Sequence, residues 1–374
     1  MTQHPGFDLP VETHGSKDQH PDGIRNSEGW DGKLRVDRGI LGDGDDTQED
    51  VASEQEISDG DDTVVTVPPA EEIAADEDLL EDYEDDTDDI DLVHCRITSI
   101  PALRLDRFTK VQKLCLRQNH ISTIEFPSNL GQTLEDLDLY DNLISHIRGL
   151  EELVHLTSLD LSFNKIKHIK NVSHLTELTD LFFVQNRIHK IEGLEGLTKL
   201  RNLELAANKI REIENISHLG SLEELWLGRN KLTDLSPLPP LPALRILSLP
   251  SNRLTTLSTL PSLPALEELY LSHNALMSIP PEALSKIPNL RILDISSNRM
   301  SHLENLSQLE HLEELWASSN DFSSFEEVEK ELKDKKELKT VYFEGNPLQT
   351  KAPALYRNKV RLTLPQVVQI DASE

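Results

Sequence analysis

The chain has few of the residues that build disulfide scaffolds, metal centres or membrane spans. Its 374 residues include only two cysteines, Cys95 and Cys115, too few for a disulfide framework or a cysteine-rich zinc site. It has no apolar run long enough to cross a membrane, no glycine-rich phosphate loop and no H-E-x-x-H sequence. We therefore expect a soluble, intracellular, non-enzymatic protein without membrane helix, metal or cofactor.

Basic residues are absent between Arg38 and Arg96. Residues 1–90 contain 29 acidic and 5 basic side chains and so carry −24 of the chain's net charge of −30. Such a segment cannot bury enough apolar surface to offset its ordering entropy, so we predict a disordered acidic tail over residues 1–70. Its charge argues against nucleic acid as a partner. The tail either only solvates the protein or attracts basic protein surfaces.

Asparagine recurs with a fixed period. The same interval, about 22 residues, separates seven successive asparagines, and four more extend the series at equal or slightly longer intervals. The eleven positions are Asn119, Asn142, Asn164, Asn186, Asn208, Asn230, Asn252, Asn274, Asn298, Asn320 and Asn346. Around each lies the pattern L-x-L-x-x-N or a close variant. Such a repeat is the signature of leucine-rich repeats, so we predict a leucine-rich-repeat solenoid, an α/β horseshoe with one concave parallel sheet.

The repeat pattern predicts where side chains point. The L-x-L triplet should form a short strand with both leucines inward and the middle residue outward, because strand side chains alternate. The asparagine should turn inward and satisfy backbone groups of adjacent turns. A repeat of about 22 residues leaves too little chain for a full helix, so short 3₁₀ or extended segments are expected on the convex side.

Three N-x-S sequences, at Asn171, Asn215 and Asn305, occupy a repeat position where other units have Gly149 or Gly193. Exchange of asparagine and glycine at one position favours a turn residue with positive φ. We prefer this interpretation to glycosylation.

Twelve units fit the repeat pattern, beginning with IDLVHCRI, in which Cys95 takes the asparagine position, and ending with VYFEGNPL. They assign residues 90–348 to the repeats. Residues 71–89 are predicted to form an N-terminal cap containing a short amphipathic helix, and residues 349–371 a C-terminal cap.

Two segments near the C-terminus have helical apolar spacing. The sequence EEVEKELKDKKEL predicts an amphipathic helix with Val328 and Leu332 inward. In the C-terminal cap, four residues recur at helical spacing and are expected to bury the last repeat's open edge. They are Leu355, Tyr356, Val360 and Leu364.

The outward residues of the strands form the candidate binding site. In chain order they are Val93, Cys115, Asp138, Asp160, Phe182, Glu204, Trp226, Ser248, Tyr270, Asp294, Trp316 and Tyr342. Five of the chain's 17 aromatic residues lie in these twelve positions, with acidic residues between them. Aromatics interleaved with carboxylates indicate an interface for a protein with a basic, partly apolar surface. The alternative is that these aromatics only pack against one another across strands.

Individual strand sequences are more specific than the repeat. LDLSFN, LELAAN, LYLSHN and LDISSN, with ENLSQLEHLEELW and the ending YRNKV…LP…ID, resemble the leucine-rich-repeat regulatory subunits of protein phosphatase-1, of the fungal type. The resemblance covers residues 90–371. It implies a non-catalytic protein that binds the phosphatase catalytic subunit through the concave face and controls its maturation, localisation or activity.

The resemblance also implies contact residues. Those with the family's residue type are Asp160, Phe182, Glu204, Asp294, Glu314, Trp316 and Tyr342. Trp226 stands where the family has phenylalanine. Asp138 and Tyr270 lie in equivalent outward positions and are secondary candidates. We expect a protein that is monomeric on its own, that leaves room for a third regulatory subunit in the complex, and that lies in the nucleus and cytoplasm.

Three further sequence features bear on other modes of action. The acidic tail suggests as an alternative an acidic nuclear leucine-rich-repeat scaffold of the histone-chaperone type, although such proteins carry the acidic run after the repeats. Ser53 and Ser58, each three residues before an acid, are candidate phosphorylation sites. Residues 339–343 match the phosphatase-docking sequence K-x-V-x-F, but Val341 and Phe343 are predicted to be inward, so we expect no docking there.

Overall fold

The computed structural model describes residues 79–372, and the main element in them is one parallel sheet. Its thirteen strands follow one another in chain order, each hydrogen-bonded to the next. The strands are β1 (Asp89–Asp91), β2 (Lys113–Cys115), β3 (Asp136–Asp138), β4 (Ser158–Asp160), β5 (Asp180–Phe182), β6 (Asn202–Glu204), β7 (Glu224–Trp226), β8 (Ile246–Ser248), β9 (Glu268–Tyr270), β10 (Ile292–Asp294), β11 (Glu314–Trp316), β12 (Thr340–Tyr342) and β13 (Gln369–Ile370). This order confirms the predicted solenoid.

The segments between the strands are turns and short helices. The α-helices are α1 (Pro281–Leu284), α2 (Phe325–Leu332), α3 (Pro347–Thr350) and α4 (Pro353–Thr363), and the 3₁₀ helices are Pro101–Leu103, Leu105–Arg107, Ser128–Gln132 and Leu306–Gln308. The turns and 3₁₀ helices agree with the prediction of short 3₁₀ or extended return segments, whereas the one-turn helix α1 was not predicted. Across residues 79–372, no helix has the length and apolar character needed to cross a membrane.

Each of the first twelve strands is centred on a buried aliphatic side chain. In β4, Leu159 lies between Ser158 and Asp160, so the strand begins one residue earlier than the L-x-L pattern predicted. Leu161, the second leucine, is still buried and donates its backbone amide to the carbonyl oxygen of Phe182 at 2.9 Å. Because of the shift, each strand places two side chains on the outer face of the sheet, its first and its third residue.

The inward side chains of successive repeats form one continuous hydrophobic core. In the β4 repeat, Leu159, Leu161, Ile166 and Ile169 have no exposed surface. No repeat encloses a core by itself, so each is stabilised by burial against its neighbours.

The asparagines link neighbouring repeats through buried hydrogen bonds. The Asn208 side-chain amide donates to the carbonyl oxygens of Phe183 (2.8 Å), Leu205 (3.1 Å) and Ala206 (3.2 Å), and its oxygen accepts the Ile188 amide (2.9 Å). In all eleven asparagines the side-chain oxygen accepts a backbone amide from the preceding repeat. Groups that would otherwise be buried without partners are thereby satisfied.

The residue before each of these asparagines has a left-handed backbone. The φ values lie between 53° and 56°, for example 55° at Phe163 and 56° at Ala207, and only the last of these positions is a glycine, Gly345, with φ 77°. A residue with a Cβ atom pays roughly 1–2 kcal/mol for this conformation. The side-chain types at these positions vary, which is why the sequence did not reveal the feature.

The N-x-S asparagines also have positive φ, as predicted. The values are 58° at Asn171 and Asn215 and 67° at Asn305, beside 75° at Gly149 and 70° at Gly193. The three side-chain amides donate to carbonyl oxygens of the preceding repeat at 2.7, 2.7 and 2.8 Å. They therefore act as turn residues.

Helix α2 confirms the predicted amphipathic helix, with Val328 and Leu332 buried. Just beyond it, Lys335 is only 6% exposed. Its ammonium group donates to the carbonyl oxygen of Leu309 at 2.6 Å. This lysine is therefore part of the packing between repeats.

The C-terminal residues cover the last repeat, with one difference from the prediction. Tyr356, Val360 and Leu364 are buried, but Leu355 is 57% exposed, so its predicted inward position was wrong. Consecutive helical residues are about 100° apart around the axis, so Leu355 cannot share the inward direction of Tyr356.

A short thirteenth strand lies within this C-terminal segment and was not predicted. It pairs in parallel with β12, Val341 opposite Ile370. The carboxylate of Asp371 accepts the amides of Phe343 (2.9 Å) and Glu344 (3.0 Å). An aspartate thus satisfies backbone donors where the other repeats use asparagine.

At the N-terminal end, Leu80 is buried and Tyr83 packs against the core. Residues 79–80 are in 3₁₀ conformation and residues 81–86 form turns and bends, so no α-helix is present in the described part of the predicted cap. Residues 71–78, the predicted tail and the candidate phosphorylation sites Ser53 and Ser58 lie outside the described residues.

An alternating row of charges borders the sheet, one residue before each strand from β6 to β12. The row is Arg201, Glu223, Arg245, Glu267, Arg291, Glu313 and Lys339. Neighbours form ion pairs, for example Arg201–Glu223 at 2.9 Å, Arg245–Glu267 at 3.1 Å and Lys339–Glu313 at 3.2 Å. This edge charge is therefore balanced within the chain.

Candidate protein-binding site

The outer face of the sheet carries two rows of side chains. The first residue of each strand lies opposite the first residue of the next strand, and the third residue lies opposite the third. The first-residue row is Asp89, Lys113, Asp136, Ser158, Asp180, Asn202, Glu224, Ile246, Glu268, Ile292, Glu314 and Thr340. The third-residue row is Asp91, Cys115, Asp138, Asp160, Phe182, Glu204, Trp226, Ser248, Tyr270, Asp294, Trp316 and Tyr342. Asp91 occupies the first of these third-residue positions, so the assignment of Val93 was wrong. Every other predicted contact residue lies in one of the two rows.

Four aromatic residues form a continuous row across strands β7 to β12. The ring centroids of Trp226 and Tyr270 are 6.3 Å apart with near-parallel planes. Trp316 contacts Tyr270 at 5.9 Å and Tyr342 at 5.8 Å, both edge to face. Ser248 is small enough for the rings of Trp226 and Tyr270 to meet across it.

Each of the first three rings is also fixed by a carboxylate of its own strand. The indole nitrogens of Trp226 and Trp316 donate to Glu224 (3.1 Å) and Glu314 (2.9 Å), and the Tyr270 hydroxyl donates to Glu268 (2.5 Å). The triplet E-L-W or E-L-Y encodes this contact, since residues two apart on a strand share a face.

The aromatic rings differ in their exposure. Trp226 and Tyr270 retain 8% and 7% of their surface, so cross-strand packing explains much of their placement. Phe182, Trp316 and Tyr342 are only partly buried. These three are therefore the rings most available to a partner.

Carboxylates dominate the other part of the third-residue row. Asp138 and Asp160 are register partners, and Glu204 follows two strands later, beyond Phe182. Asp138 is neutralised by Arg117, with a nitrogen–oxygen distance of 2.9 Å. Glu204 is only 5% exposed.

Burial raises the pKa of Asp160 to about 7, and the charge of Asp138 adds to the shift. Burial raises the pKa of Glu204 to about 8, with further contributions from Asp160 and Glu224. Burial also raises the pKa of Asp294. Arg117 pairs with Asp138, but Asp160 and Glu204 form no ion pair in the described structure, so a cationic partner group would be favoured beside them.

The aspartates also have a local structural role. One carboxylate oxygen of Asp160 accepts the Ser162 amide at 2.7 Å, and one of Asp294 accepts the Ser296 amide at 2.9 Å. Substitution of either would disturb the end of its strand, whereas Glu204 has no such backbone bond in the described structure.

The K-x-V-x-F match is inaccessible to a partner, as predicted. Val341 and Phe343 have no exposed surface. Both belong to the core, so binding them to another protein would require the last repeats to unfold.

Sequence reasoning missed Arg117 and Asn202 as parts of the site. Arg117 lies over the Tyr140 ring, 4.0 Å from its centroid, and pairs with Asp138. The register rule could have found Asn202, had the strand been placed one residue earlier. Among residues 79–372, no group of three or more His, Cys, Asp or Glu side chains is arranged to hold a metal.

The fold is a leucine-rich-repeat solenoid, and leucine-rich-repeat family models match part of the sequence. The family described as "Leucine rich repeat" matches residues 221–276 and 264–322, and "Leucine Rich repeats (2 copies)" matches residues 176–218. Among solved structures, the leucine-rich repeat domain of APL1B superposes with a TM-score of 0.58 at 22% identity, covering 77% of this chain and 89% of that one. That likeness concerns the fold alone.

Two curated fungal relatives are more similar in sequence. Protein phosphatase 1 regulatory subunit SDS22 of Schizosaccharomyces pombe is 52% identical over 106 residues, which is 28% of this chain and 31% of the relative. The SDS22 of Saccharomyces cerevisiae is 48% identical over 87 residues, 23% of this chain and 26% of the relative. The matches thus span under a third of either relative. They confirm the resemblance to phosphatase regulatory subunits. Both relatives are named as regulatory subunits, a term for proteins that do not carry the catalytic site.

Proposed function

We propose that the chain is a non-catalytic regulatory subunit that binds the catalytic subunit of protein phosphatase-1 through the outer face of its sheet. The observation that carries the proposal is the aromatic row from Trp226 to Tyr342, continued by the carboxylates of the buried Glu204 and the half-buried Asp160. Aromatic anchors beside uncompensated acidic groups fit a partner with a basic, partly apolar surface. The names of the two SDS22 relatives support protein phosphatase-1 as that partner.

The aromatic part of the face would provide the apolar anchors. Trp316 lies between Tyr270 and Tyr342, and its indole nitrogen is held by Glu314. A ring fixed before binding loses little entropy on contact, which is a property of interface hot spots. By occupying part of the phosphatase surface, the chain would control the maturation, localisation or activity of the phosphatase.

The test is binding of the purified phosphatase catalytic subunit to the full chain and to two variants. Trp316→Ala should weaken binding by about 2 kcal/mol, roughly 30-fold, and Glu204→Lys should weaken it at least as much by reversing the charge. The matched controls are Met277→Ala and Glu195→Lys, whose exposed side chains lie off the strands. Undiminished binding by both face variants, with unchanged circular dichroism, would refute the proposed interface.

The competing function is that of an acidic scaffold that binds its partner through the tail. A truncation of the tail distinguishes this function from phosphatase binding by the sheet face. Deleting residues 1–78 removes most of the acidic segment and spares the buried Leu80. If the sheet face binds the phosphatase, the truncated chain should keep its affinity. If the truncated chain instead loses the protein that the full chain mainly binds, the acidic scaffold function is favoured.

The cellular location we propose is the nucleus and cytoplasm, and imaging of a fluorescent fusion tests it directly. Exclusion of the fusion from either compartment would contradict it.

A further inference from the structure

The edge of the sheet that follows the strands carries a row of basic side chains over five successive repeats. The row consists of the residue immediately after the asparagine in the repeats of β4 to β8, namely Lys165, Arg187, Lys209, Lys231 and Arg253. We call these five residues the basic ladder. Each donates its backbone amide to a carbonyl oxygen of the preceding repeat, for example Lys209 to Ile188 at 2.8 Å. Neighbouring hydrogen-bonded segments of a sheet are about 4.8 Å apart, so the ladder is roughly 20 Å long.

The positive charge of the basic ladder has no acidic counterpart in the positions around it. The five segments that contain the ladder hold eight lysines and arginines and no aspartate or glutamate; they are residues 163–167, 185–189, 207–211, 229–233 and 251–255. Within residues 79–372, no side chain of the ladder forms an ion pair. The row that precedes the strands differs, because its basic and acidic side chains pair with one another. Positive charge therefore remains on the edge that follows the strands.

The ladder side chains are accessible, and their charges act together. Four of the five residues are exposed, and Lys231 is half-buried. Partial desolvation lowers the pKa of His189, and the charges of Lys209 and Lys231 lower it further. These three residues belong to three successive repeats, so positive charge from neighbouring repeats adds up at one point. Such a field favours an anionic group.

An apolar surface continues the ladder at its β4 end. The ring of Phe163, two residues before Lys165, packs against the ring of Tyr140 with centroids 4.7 Å apart. Phe163 is nevertheless 40% exposed, and Leu143 is 39% exposed. Leu143 follows the asparagine of its repeat, so it occupies the position that Lys165 occupies in the next repeat. Along this edge, basic side chains are therefore followed by exposed apolar ones.

These properties fit an extended acidic segment of a protein. An extended polypeptide advances about 3.3 Å per residue, so about six residues would span the ladder. Carboxylates along that segment would complement the basic side chains. An apolar residue at its end would cover Phe163 and Leu143. A nucleic acid fits less well, because a chain with a net charge of −30 repels a polymer of phosphates.

We propose that the basic ladder is a second binding surface, which takes an extended acidic segment of a protein partner with an aromatic or aliphatic residue at the Phe163 end. This surface lies beyond the ends of the strands, whereas the proposed phosphatase interface is the outer face of the strands. The two surfaces use different side chains, so this inference does not depend on the proposed function.

Fluorescence anisotropy of labelled peptides with the full chain tests the proposal. One probe is a peptide of six glutamates, and two others add a phenylalanine at either end. We expect all three to bind at about 50 mM salt and to bind at least about fivefold more weakly at about 300 mM, because exposed charges are screened. One of the two phenylalanine peptides should bind about fivefold more tightly than hexaglutamate, since its ring would cover exposed apolar surface.

Two double variants with the same change in net charge distinguish the ladder from general attraction. Lys165→Glu combined with Lys209→Glu should weaken peptide binding roughly tenfold or more, because two attractions become repulsions. The control is Lys336→Glu combined with Lys351→Glu, whose exposed side chains lie outside the ladder, and it should bind as the native chain does. Phe163→Ser should remove the advantage of the phenylalanine peptide. Equal losses in the two double variants, or no peptide binding by the native chain, would overturn the inference.

Other occupants of the ladder would give different results. Tighter binding of a labelled uridine oligonucleotide than of any peptide would assign the ladder to a nucleic acid. Self-association of the native chain in light scattering, lost in the ladder double variant, would assign it to a second copy. Either result overturns the proposal. Trp316→Ala should bind the peptides as the native chain does, and a loss there would place the peptides on the outer face instead and also overturn it.

Discussion

Replacing Asn208 by alanine tests whether the asparagines hold the repeats together. The substitution removes four hydrogen bonds between 2.8 and 3.2 Å. The three carbonyl oxygens each keep a second donor, from the side chains of Asn186 and Asn230 and the backbone amide of Gln185. Only the Ile188 amide loses its acceptor in the described structure without another to replace it.

An unsatisfied buried donor costs about 1–3 kcal/mol, and the weakened carbonyl contacts add to it. We therefore expect Asn208→Ala to lower the free energy of unfolding by about 3 kcal/mol. Asn208→Asp keeps the acceptor for Ile188 but points a carboxylate oxygen at three carbonyl oxygens. At neutral pH it should be at least as destabilising, and it should improve in acid as the carboxylate is protonated.

Urea unfolding at about 25 °C, followed by circular dichroism and tryptophan fluorescence, measures these differences. Asn289→Ala is the control, because Asn289 is exposed and donates a single bond, to Pro264 at 2.7 Å. It should cost less than about 1 kcal/mol. If Asn208→Ala costs no more than this control, the hydrogen bonds do not stabilise the solenoid as argued.

Two further predictions concern backbone strain and pH. Ala207→Gly should raise the free energy of unfolding by about 0.5 kcal/mol or more, because φ is 56° at this residue. Gly345→Ala should lower the free energy of unfolding, since φ is 77° and a Cβ atom would lie 2.9 Å from the Ser319 hydroxyl. Urea titrations giving the opposite signs would contradict this account. The native pKa of Glu204 is raised from 4.5 to about 8, so its contribution to stability is present below pH 4.5 and is lost as pH rises through 8, by up to ~1.4 kcal/mol per pH unit. Thermal melting from pH 5 to 9 should show Glu204→Gln gaining on the native chain as pH rises, and parallel melting curves would refute it.

The fold could be predicted from the sequence because its constraints are local. One asparagine and two leucines in each repeat determine its strand and the turn after it. Their spacing can be read from the sequence without knowing which repeats are in contact. The N-x-S asparagines and Val328 were placed correctly for the same reason. The strand boundary was displaced by one residue, which hid Asn202 as a member of the outer face.

Other features could not be predicted because they depend on contacts between repeats. Strand β13 lacks the L-x-L-x-x-N pattern, since Asp371 replaces the asparagine. Leu355 and Tyr356 are equally apolar neighbours, and only the position of the cap helix decides which is buried. Burial raises the pKa of Glu204, and carboxylates one and two repeats away raise it further. The partner-binding role of the predicted site residues stays a prediction until binding is measured.

The alternating border from Arg201 to Lys339 makes these repeats non-interchangeable. Its signs recur every second unit, so the effective period along that edge is two repeats. Excising the single unit that contains Arg245 would bring Glu223 beside Glu267, and like charges opposite each other are destabilising. Excising two adjacent units would restore the alternation. A shortened variant of this solenoid should therefore tolerate the removal of repeats in pairs better than the removal of a single repeat between Arg201 and Lys339.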